Sequence, residues 1–369
     1  MQRECGGVRR AMKGFRGFTL IEALTGVLAA VVLFSMALTV VSARGGAADA
    51  HFKLAQLGQA HACYAGDWND RQWTALPYHA GQFGNSCSAY QAQLACAPQQ
   101  FLGWDRNGAM WGYFTGSGGK CAQFGYPGNC GNWVVYVPLD FTTPGAPGFF
   151  NDGYGAFRLP NTCGFRQYIS QAFYSPEWYS EDDPMYALAS SHFDTDYEFT
   201  YNPSTGNFAE PSYCLSPAAM WNTGVMRSQS EGGFQNPSVL PECHAAPSTT
   251  QCIYPSLKTR MCEYGWFRNA PEEGLGFTGG LAAEPVTLFF DGSVAAIRMQ
   301  DASEQDLKIY ENSPDRDGLW HRGTTFLKDG WRLNGRPSID GSASGFHVLT
   351  TGGILGRDLL FRDGTGGDR

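Results

Sequence analysis

The chain has 369 residues, of which 16% are charged, and its formal net charge is -8. An acidic chain has no basic field to pair with phosphates, so we expect no nucleic-acid partner. Its 47 glycines and 20 prolines stay below the roughly 25–30% that signals disorder, and aromatic residues supply 14% of the chain. The composition therefore excludes a disordered chain, and the length suits one large domain or two smaller ones.

The first 17 residues form a basic leader in which five cations oppose Glu4 alone: Arg3, Arg9, Arg10, Lys13 and Arg16. Nineteen uncharged residues follow from Ala23 to Val41. As a helix they would cover about 28 Å, close to the ~30 Å hydrocarbon core of a bilayer. These features alone leave three interpretations open: a single-pass anchor, a secretory signal peptide cleaved after Ala43 or Ala50, or a buried core helix.

Glu22 directly precedes Ala23, inside the apolar run that begins at Phe18, where a charge costs a few kcal/mol unless it finds a partner. The six residues Gly17-Phe18-Thr19-Leu20-Ile21-Glu22 resemble the prepilin processing motif of type IV pilins and type II secretion pseudopilins. The resemblance implies that a prepilin peptidase and N-methyltransferase cuts between Gly17 and Phe18 and methylates Phe18. It also implies that Glu22 pairs with the N-terminal amine of a neighbouring subunit. The leader departs from the family in its length and in containing Cys5.

The same resemblance implies an α+β fold, in which a long N-terminal hydrophobic helix precedes a large, mostly antiparallel, β-rich globular head. Before assembly the chain would cross the inner membrane once, with its head in the periplasm or on the cell surface. Other pilin-like subunits would be its partners through the N-terminal helix. Five segments are predicted: a leader at 1–17, a transmembrane and filament-core helix at 18–42, its continuation and a linker at 43–75, the cysteine- and aromatic-rich head at 76–300, and an extension of the head at 301–369.

Residues 43–66 continue the helical pattern. Apolar residues and one histidine recur there at spacings of three and four, which indicates one buried face of a helix; they are Ala50, Leu54, Leu57, His61 and Tyr64. We expect His61 to be a packed core histidine. Gly66 and the polar residues after it should end the helix.

Alternating and β-branched residues predict strands in the head. Trp133–Val137 suits one strand, and 195–201 suits another with Thr195, Tyr197, Phe199 and Tyr201 on one face. The clearest hairpin joins 286–290 to 293–298 through Asp291-Gly292, a preferred two-residue turn.

Three segments resemble a subgroup of large pilin-like proteins: the hairpin itself, residues 64–70 and residues 346–358. In that subgroup a strand ends in Phe-x-Asp-Gly-x-Val. A histidine usually precedes its aspartate by ten residues, whereas this chain has Leu281.

The chain has 11 cysteines, one of them in the leader. The other ten follow the apolar segment, where thiols can oxidise, and an even count supports up to five disulfides. The close pairs Cys87–Cys96 and Cys121–Cys130 are natural candidates, although connectivity does not follow from sequence. The absence of C-x-x-C and C-x-x-H pairs argues against zinc.

We expect no resident cofactor, but calcium is considered because some pseudopilins use it to hold a loop. Calcium requires hard oxygen ligands. The main candidates are Asp194, Asp196 and Glu198, with residues 181–183 and the pair Asp315 and Asp317 as further acidic groups. Alternatively, these carboxylates simply form solvated surface.

Catalytic signatures such as G-x-S-x-G, H-E-x-x-H and the phosphate-binding loop do not occur, so we expect no enzyme. The sequence therefore predicts a pilin-like structural subunit. One alternative is a membrane-tethered protein that never polymerises and binds a ligand such as carbohydrate through aromatic side chains, among them Trp104, Trp111, Trp133 and Trp178. A secreted enzyme with an unfamiliar site is the third possibility.

Overall fold

The chain divides into two compact units, residues 1–48 and residues 49–369. The second unit contains most of the residues whose structure is described. The computed structural model describes residues 45–74, 100–108, 110–115, 132–136, 157, 159–170, 172–183, 185–199, 209, 211–235, 246–263, 281, 283–321, 332–333, 336–337 and 345–362.

The α-helices of the described residues are α1 (Gly45–Asp67), α2 (Cys163–Arg166), α3 (Tyr186–Ser190), α4 (Pro217–Met220) and α5 (Met299–Asn312). Short 3-10 helices lie at Pro176–Trp178, Gln229–Glu231, Thr249–Gln251 and Gly353–Leu355. The strands are β1 (Gln100–Trp104), β2 (Met110–Thr115), β3 (Asn132–Tyr136), β4 (Tyr213–Leu215), β5 (Thr259–Glu263), β6 (Val286–Phe289), β7 (Val294–Ala296), β8 (Arg332–Leu333) and β9 (Arg336–Pro337).

Helix α1 confirms the helical pattern expected for 43–66. Every residue of the predicted stripe is buried: Ala50, Leu54, Leu57, His61 and Tyr64. The helix ends at Asp67, and Asn69 and Asp70 follow with positive φ angles of 52° and 65°. The polar stretch after Gly66 therefore stops the helix, as the sequence predicts.

A four-stranded antiparallel sheet, in the order β4-β5-β6-β7, forms the centre of the described head. Neighbouring residues of a strand point to opposite faces. Met261 and Leu288 accordingly belong to the core cluster that contains the stripe of α1, whereas Cys262 and Phe289 belong to a second cluster with residues of α5. The sheet therefore lies between α1 on one face and α5 on the other.

Helix α1 approaches the sheet closely at two points. A Cβ built on Gly58 would lie 3.0 Å from Leu288 Cδ1 of β6. The His61 Nε2 atom lies 3.3 Å from the Met261 sulfur of β5, and the ring packs on Phe165 at 4.4 Å between centroids. Burial lowers the pKa of His61 well below its usual value, so this histidine is a neutral core residue.

The predicted hairpin is present as β6 and β7, but its turn differs from the prediction. Leu288 pairs with Val294. The Phe289 amide donates to the Ser293 carbonyl and the Phe289 carbonyl accepts from the Gly292 amide, which leaves a loop of three residues, 290–292. Only Gly292 in this loop has a positive φ, 82°. The two-residue turn was therefore wrong, and the loop has the three-residue form in which a left-handed glycine ends a turn.

A second sheet has the order β1-β2-β3, and β2 pairs with β3 in parallel. Strand β3, at Asn132–Tyr136, agrees with the strand expected from Trp133. The strand predicted over 195–201 was wrong within the described residues, because 195–199 contain no strand and the chain bends at 196–198. Local bonds explain this difference, since the Thr195 hydroxyl donates to the His192 carbonyl at 2.9 Å and thereby closes a turn.

The predicted fold class is also corrected by the structure. None of the helices described is long and apolar enough to cross a membrane, and the expected segment 18–42 lies outside the described residues. Strands of two to six residues make up little of the described head, one strand pair is parallel, and irregular segments supply much of the core. The described part therefore has no long apolar helix and only short strands: β1 is bulged at Gly103, and β6 cannot extend back past Pro285.

Candidate functional site

An open cleft of about 800 Å³ lies where the β1–β2 loop meets the segment 194–198. Backbone bonds join the two segments, because the amides of Glu198 and Phe199 donate to the Trp104 carbonyl at 3.1 and 3.2 Å. A Cβ built on Gly103, whose φ is 151°, would lie 2.7 Å from the Glu198 Cβ. Only glycine fits this backbone and this approach, so Gly103 allows the two walls to meet.

The wall of the cleft that the β1–β2 loop forms is a tight turn. The Asp105 carboxylate accepts a bond from the Asn107 amide at 2.9 Å, and the Asp105 carbonyl accepts from the Gly108 amide at 2.9 Å. Gly108 has a φ of 73°, a conformation that favours glycine. The turn therefore presents the side chains of 104–106 along one side of the cleft.

The cleft is acidic. Its lining contains the arginine Arg106 and four carboxylates, namely Asp105, Asp194, Asp196 and Glu198. Behind this lining, Arg166 is almost fully buried and lies 3.4 Å from Glu198 through its Nη2 atom, while its Nε and Nη1 atoms have no hydrogen-bond partner among the described residues. The carboxylates outnumber the cations even when Arg166 is counted, so the cleft disfavours phosphates and other anions.

Two aromatic side chains complete the lining. Trp104 is 46% exposed. The Tyr197 ring receives the Arg106 guanidinium at 5.2 Å, and its hydroxyl lies 2.9 Å from His192 Nδ1. Burial lowers the pKa of His192, which keeps its ring neutral at pH 7. An exposed aromatic face beside several acceptor oxygens suits a neutral, hydroxyl-rich molecule.

The calcium candidates Asp194, Asp196 and Glu198 do come together in this cleft. They do so on a bent segment rather than on one face of a strand. In the described ranges, no three His, Cys, Asp or Glu side chains are grouped so that they could hold a metal ion. We therefore propose no metal site there.

Two of the other acidic candidates, Asp183 and Asp317, hold structural hydrogen bonds. Asp183 is buried and accepts bonds from Ser212 Oγ at 2.6 Å and from the Met185 amide at 2.8 Å, and burial raises its pKa. Asp317 accepts a bond from the Gln229 amide at 2.9 Å. These carboxylates therefore tie segments of the chain together.

Several predicted site residues lie outside the described residues: Gly17, Phe18, Glu22, Cys87, Cys96, Cys121 and Cys130. Of the aromatic candidates, Trp104 lines the cleft, whereas Trp178 is fully buried against Phe165. Sequence reasoning missed Asp105 and Arg106. Their neighbours in the cleft are about 90 positions away in the chain, and no spacing rule connects the two segments.

Comparison with known proteins supplies no further assignment. No protein-family model, curated protein or solved structure matches the chain.

Proposed function

We propose that the chain is a pilin-like filament subunit that is processed after Gly17 and methylated on Phe18. The observation that carries this proposal is the hexapeptide from Gly17 to Glu22, placed between a basic leader and nineteen uncharged residues. Processing followed by filament assembly needs a peptidase site and then an uncharged segment, and the sequence has both in that order. The proposed location is the inner membrane before assembly, with the head outside the cytoplasm.

The chemistry of Glu22 supports the assembly step. A carboxylate in apolar surroundings is stabilised by a nearby cation, and the free amine of a processed Phe18 on a neighbouring subunit would provide one. Processing would thus create the partner that Glu22 requires.

The packing of α1 bears on which part of the chain would contact neighbouring subunits. The apolar face of this helix from Ala50 to Tyr64 is buried against its own sheet. It offers no apolar stripe to a neighbouring subunit over that range. Filament contacts are therefore assigned to the segment before Gly45.

The test is the mass of the N-terminal peptide of the protein isolated from its native membrane. The proposal expects a chain that starts at N-methylated Phe18. Gly17→Val should abolish processing, whereas Glu22→Ala should be processed normally and yet fail to co-purify with other pilin-like subunits. A native chain that starts at Met1, Arg44 or His51 would overturn the proposal. Normal filament incorporation of Glu22→Ala would overturn the pairing role of Glu22.

A second function is favoured by the cleft at Trp104: the head binds a neutral carbohydrate. The exposed indole would stack on a sugar ring, and the surrounding carboxylates would accept bonds from its hydroxyl groups. Trp104→Ala should weaken binding to a panel of neutral polysaccharides by about tenfold or more, the equivalent of ~1.4 kcal/mol. Trp68→Ala is the control, because Trp68 is 38% exposed and lies outside the cleft. Equal binding by both variants, or no binding by the unaltered protein, would refute this function.

A further inference from the structure

A buried ion pair joins Lys258, directly before β5, to Asp358, one hundred positions later in the chain. The Lys258 Nζ atom lies 2.9 Å from the Asp358 Oδ2 atom, and both side chains have 0% exposure. Burying two ions costs several kcal/mol each, and their mutual attraction recovers this only in part. Each group is therefore shielded from molecules outside the protein and lies within hydrogen-bonding distance of the other.

The surroundings hold the two groups in a fixed orientation. Asp358 Oδ2 accepts a bond from the Thr259 amide at 2.7 Å, and Asp358 Oδ1 accepts a short bond from the Thr350 hydroxyl. Lys258 Nζ also donates to Thr350 Oγ1 at 2.8 Å and to Ser216 Oγ at 3.2 Å. The amine nitrogen is therefore kept beside the carboxyl group of Asp358, and a fixed arrangement of this kind replaces a random encounter with a high effective concentration, on the order of 10⁵ M or more.

His347 supplies a third titratable group at this site. Its side chain is fully buried, neither ring nitrogen has a hydrogen-bond partner in the described part of the chain, and its φ is 52°. Its carbonyl accepts a bond from Ser216 Oγ at 2.5 Å, which links it to the lysine. Burial lowers the pKa of His347 to about 3, and the charges of Asp358 and Lys258 act on the ring as well. The ring is therefore neutral, and neither nitrogen is hydrogen-bonded to Lys258 or Asp358.

The unpartnered ring nitrogens and the positive φ of His347 are costly for a residue with a purely structural role. Buried polar atoms without partners and a non-glycine residue at positive φ each reduce stability. Such features concentrate where the chain carries out chemistry.

We propose that Lys258 and Asp358 condense to form an intramolecular isopeptide bond. The lysine first gives a proton to the carboxylate, because burial disfavours the ammonium ion and lowers the pKa of Lys258. Nζ then attacks Cγ and a C–N bond forms, while the Thr259 amide donates to the oxygen on which negative charge develops.

The Thr350 hydroxyl, which accepts a bond from Nζ and donates one to Oδ1, takes the proton that the nitrogen must lose and passes its own proton to the departing Oδ1 hydroxyl group. The C–O bond breaks and water leaves. In sum, one ammonium and one carboxylate give one amide and one water molecule. The step needs no oxidant and leaves the net charge unchanged. This inference depends on the described head alone and not on the proposed filament function.

The test is peptide mapping of the full chain, purified from the cell that makes it, after its cysteines are reduced and alkylated. Trypsin should not cut after Lys258, so the peptide covering 228–260 should be found joined to the peptide covering 358–362, lighter than the two together by one water molecule. The same deficit should be present in the intact mass of the unaltered protein and absent from Lys258→Met and Asp358→Ala.

Two further outcomes are decisive. Recovery of separate peptides that end at Lys258 and begin at Asp358, with no water deficit in the intact mass, would overturn the proposal. Thr350→Val keeps both reacting groups but removes the hydroxyl between them, and it should leave a larger uncondensed fraction than the unaltered protein. A purely structural threonine would change stability without changing that fraction, and this result would overturn the relay.

Discussion

The close approach of α1 to the sheet makes a quantitative prediction for Gly58. A single Cβ at this position would already lie 3.0 Å from Leu288 Cδ1, so all four carbons of a leucine would have to enter an occupied space. Overpacking of this kind costs about 1–3 kcal/mol, and we expect the upper end. The better helix propensity of leucine returns about 0.8 kcal/mol. Gly58→Leu should therefore lower the free energy of unfolding by about 2 kcal/mol.

Gly66→Leu is the matched control, because Gly66 belongs to the same helix and nothing among the described residues lies within 4 Å of a Cβ built on it. It should be neutral or raise stability by at most about 0.8 kcal/mol. Urea unfolding of the full chain, followed by tryptophan fluorescence, measures both variants. The two substitutions share the same propensity change, so their difference isolates the packing cost. Equal effects of the two substitutions would refute the packing of α1 against β6.

Two other predictions concern buried polar groups. The folded-state pKa of His61 lies below its unfolded value of about 6.5, so its contribution to stability is complete above that pH and is lost as the pH falls. Between about pH 6 and 5, protonation linked to His61 should lower the free energy of unfolding by roughly 1 kcal/mol per pH unit. His61→Leu should lack this loss, and an unchanged dependence of the unfolding free energy on pH would contradict the buried neutral histidine. Lys53 Nζ donates to the buried Tyr179 carbonyl at 2.7 Å, so Lys53→Met should cost about 1–3 kcal/mol. Lys308 is exposed, so Lys308→Met is the control. Equal melting temperatures of the Lys53→Met and Lys308→Met variants would count against this bond.

The sequence predicts those elements whose signals are local. The stripe of α1 repeats every three or four residues, and the strands of the hairpin flank Asp291 and Gly292, so both follow from periodicity and turn chemistry. The form of the turn does not follow, because a distant segment sets it. The amides of Phe290 and Asp291 donate to the carbonyls of Lys258 and Pro255 at 3.1 and 3.0 Å, which lengthens the loop to three residues.

The candidate sites were harder to predict for the same reason. Alternation around Thr195 suggested a strand, but its hydroxyl finds a carbonyl three residues earlier and bends the chain. The cleft then depends on backbone bonds from this bent segment to Trp104. Lys258 and Asp358 carry no motif at all, since their chemistry arises from burial and from a contact across 100 positions. Local pattern specifies neither burial nor such contacts.

The long separations within the core also govern when the head can fold. His61 of α1 meets Met261 only after 200 further residues have been added, and Ser216 meets His347 after 131. Chains dominated by distant contacts fold slowly, because the entropy of closing long loops is lost before the stabilising contacts form. The apolar face of α1 is therefore synthesised early and stays uncovered until the strands of the sheet have been synthesised. The head folds after its synthesis is nearly complete, and during that interval α1 presents the surface that a chaperone would bind.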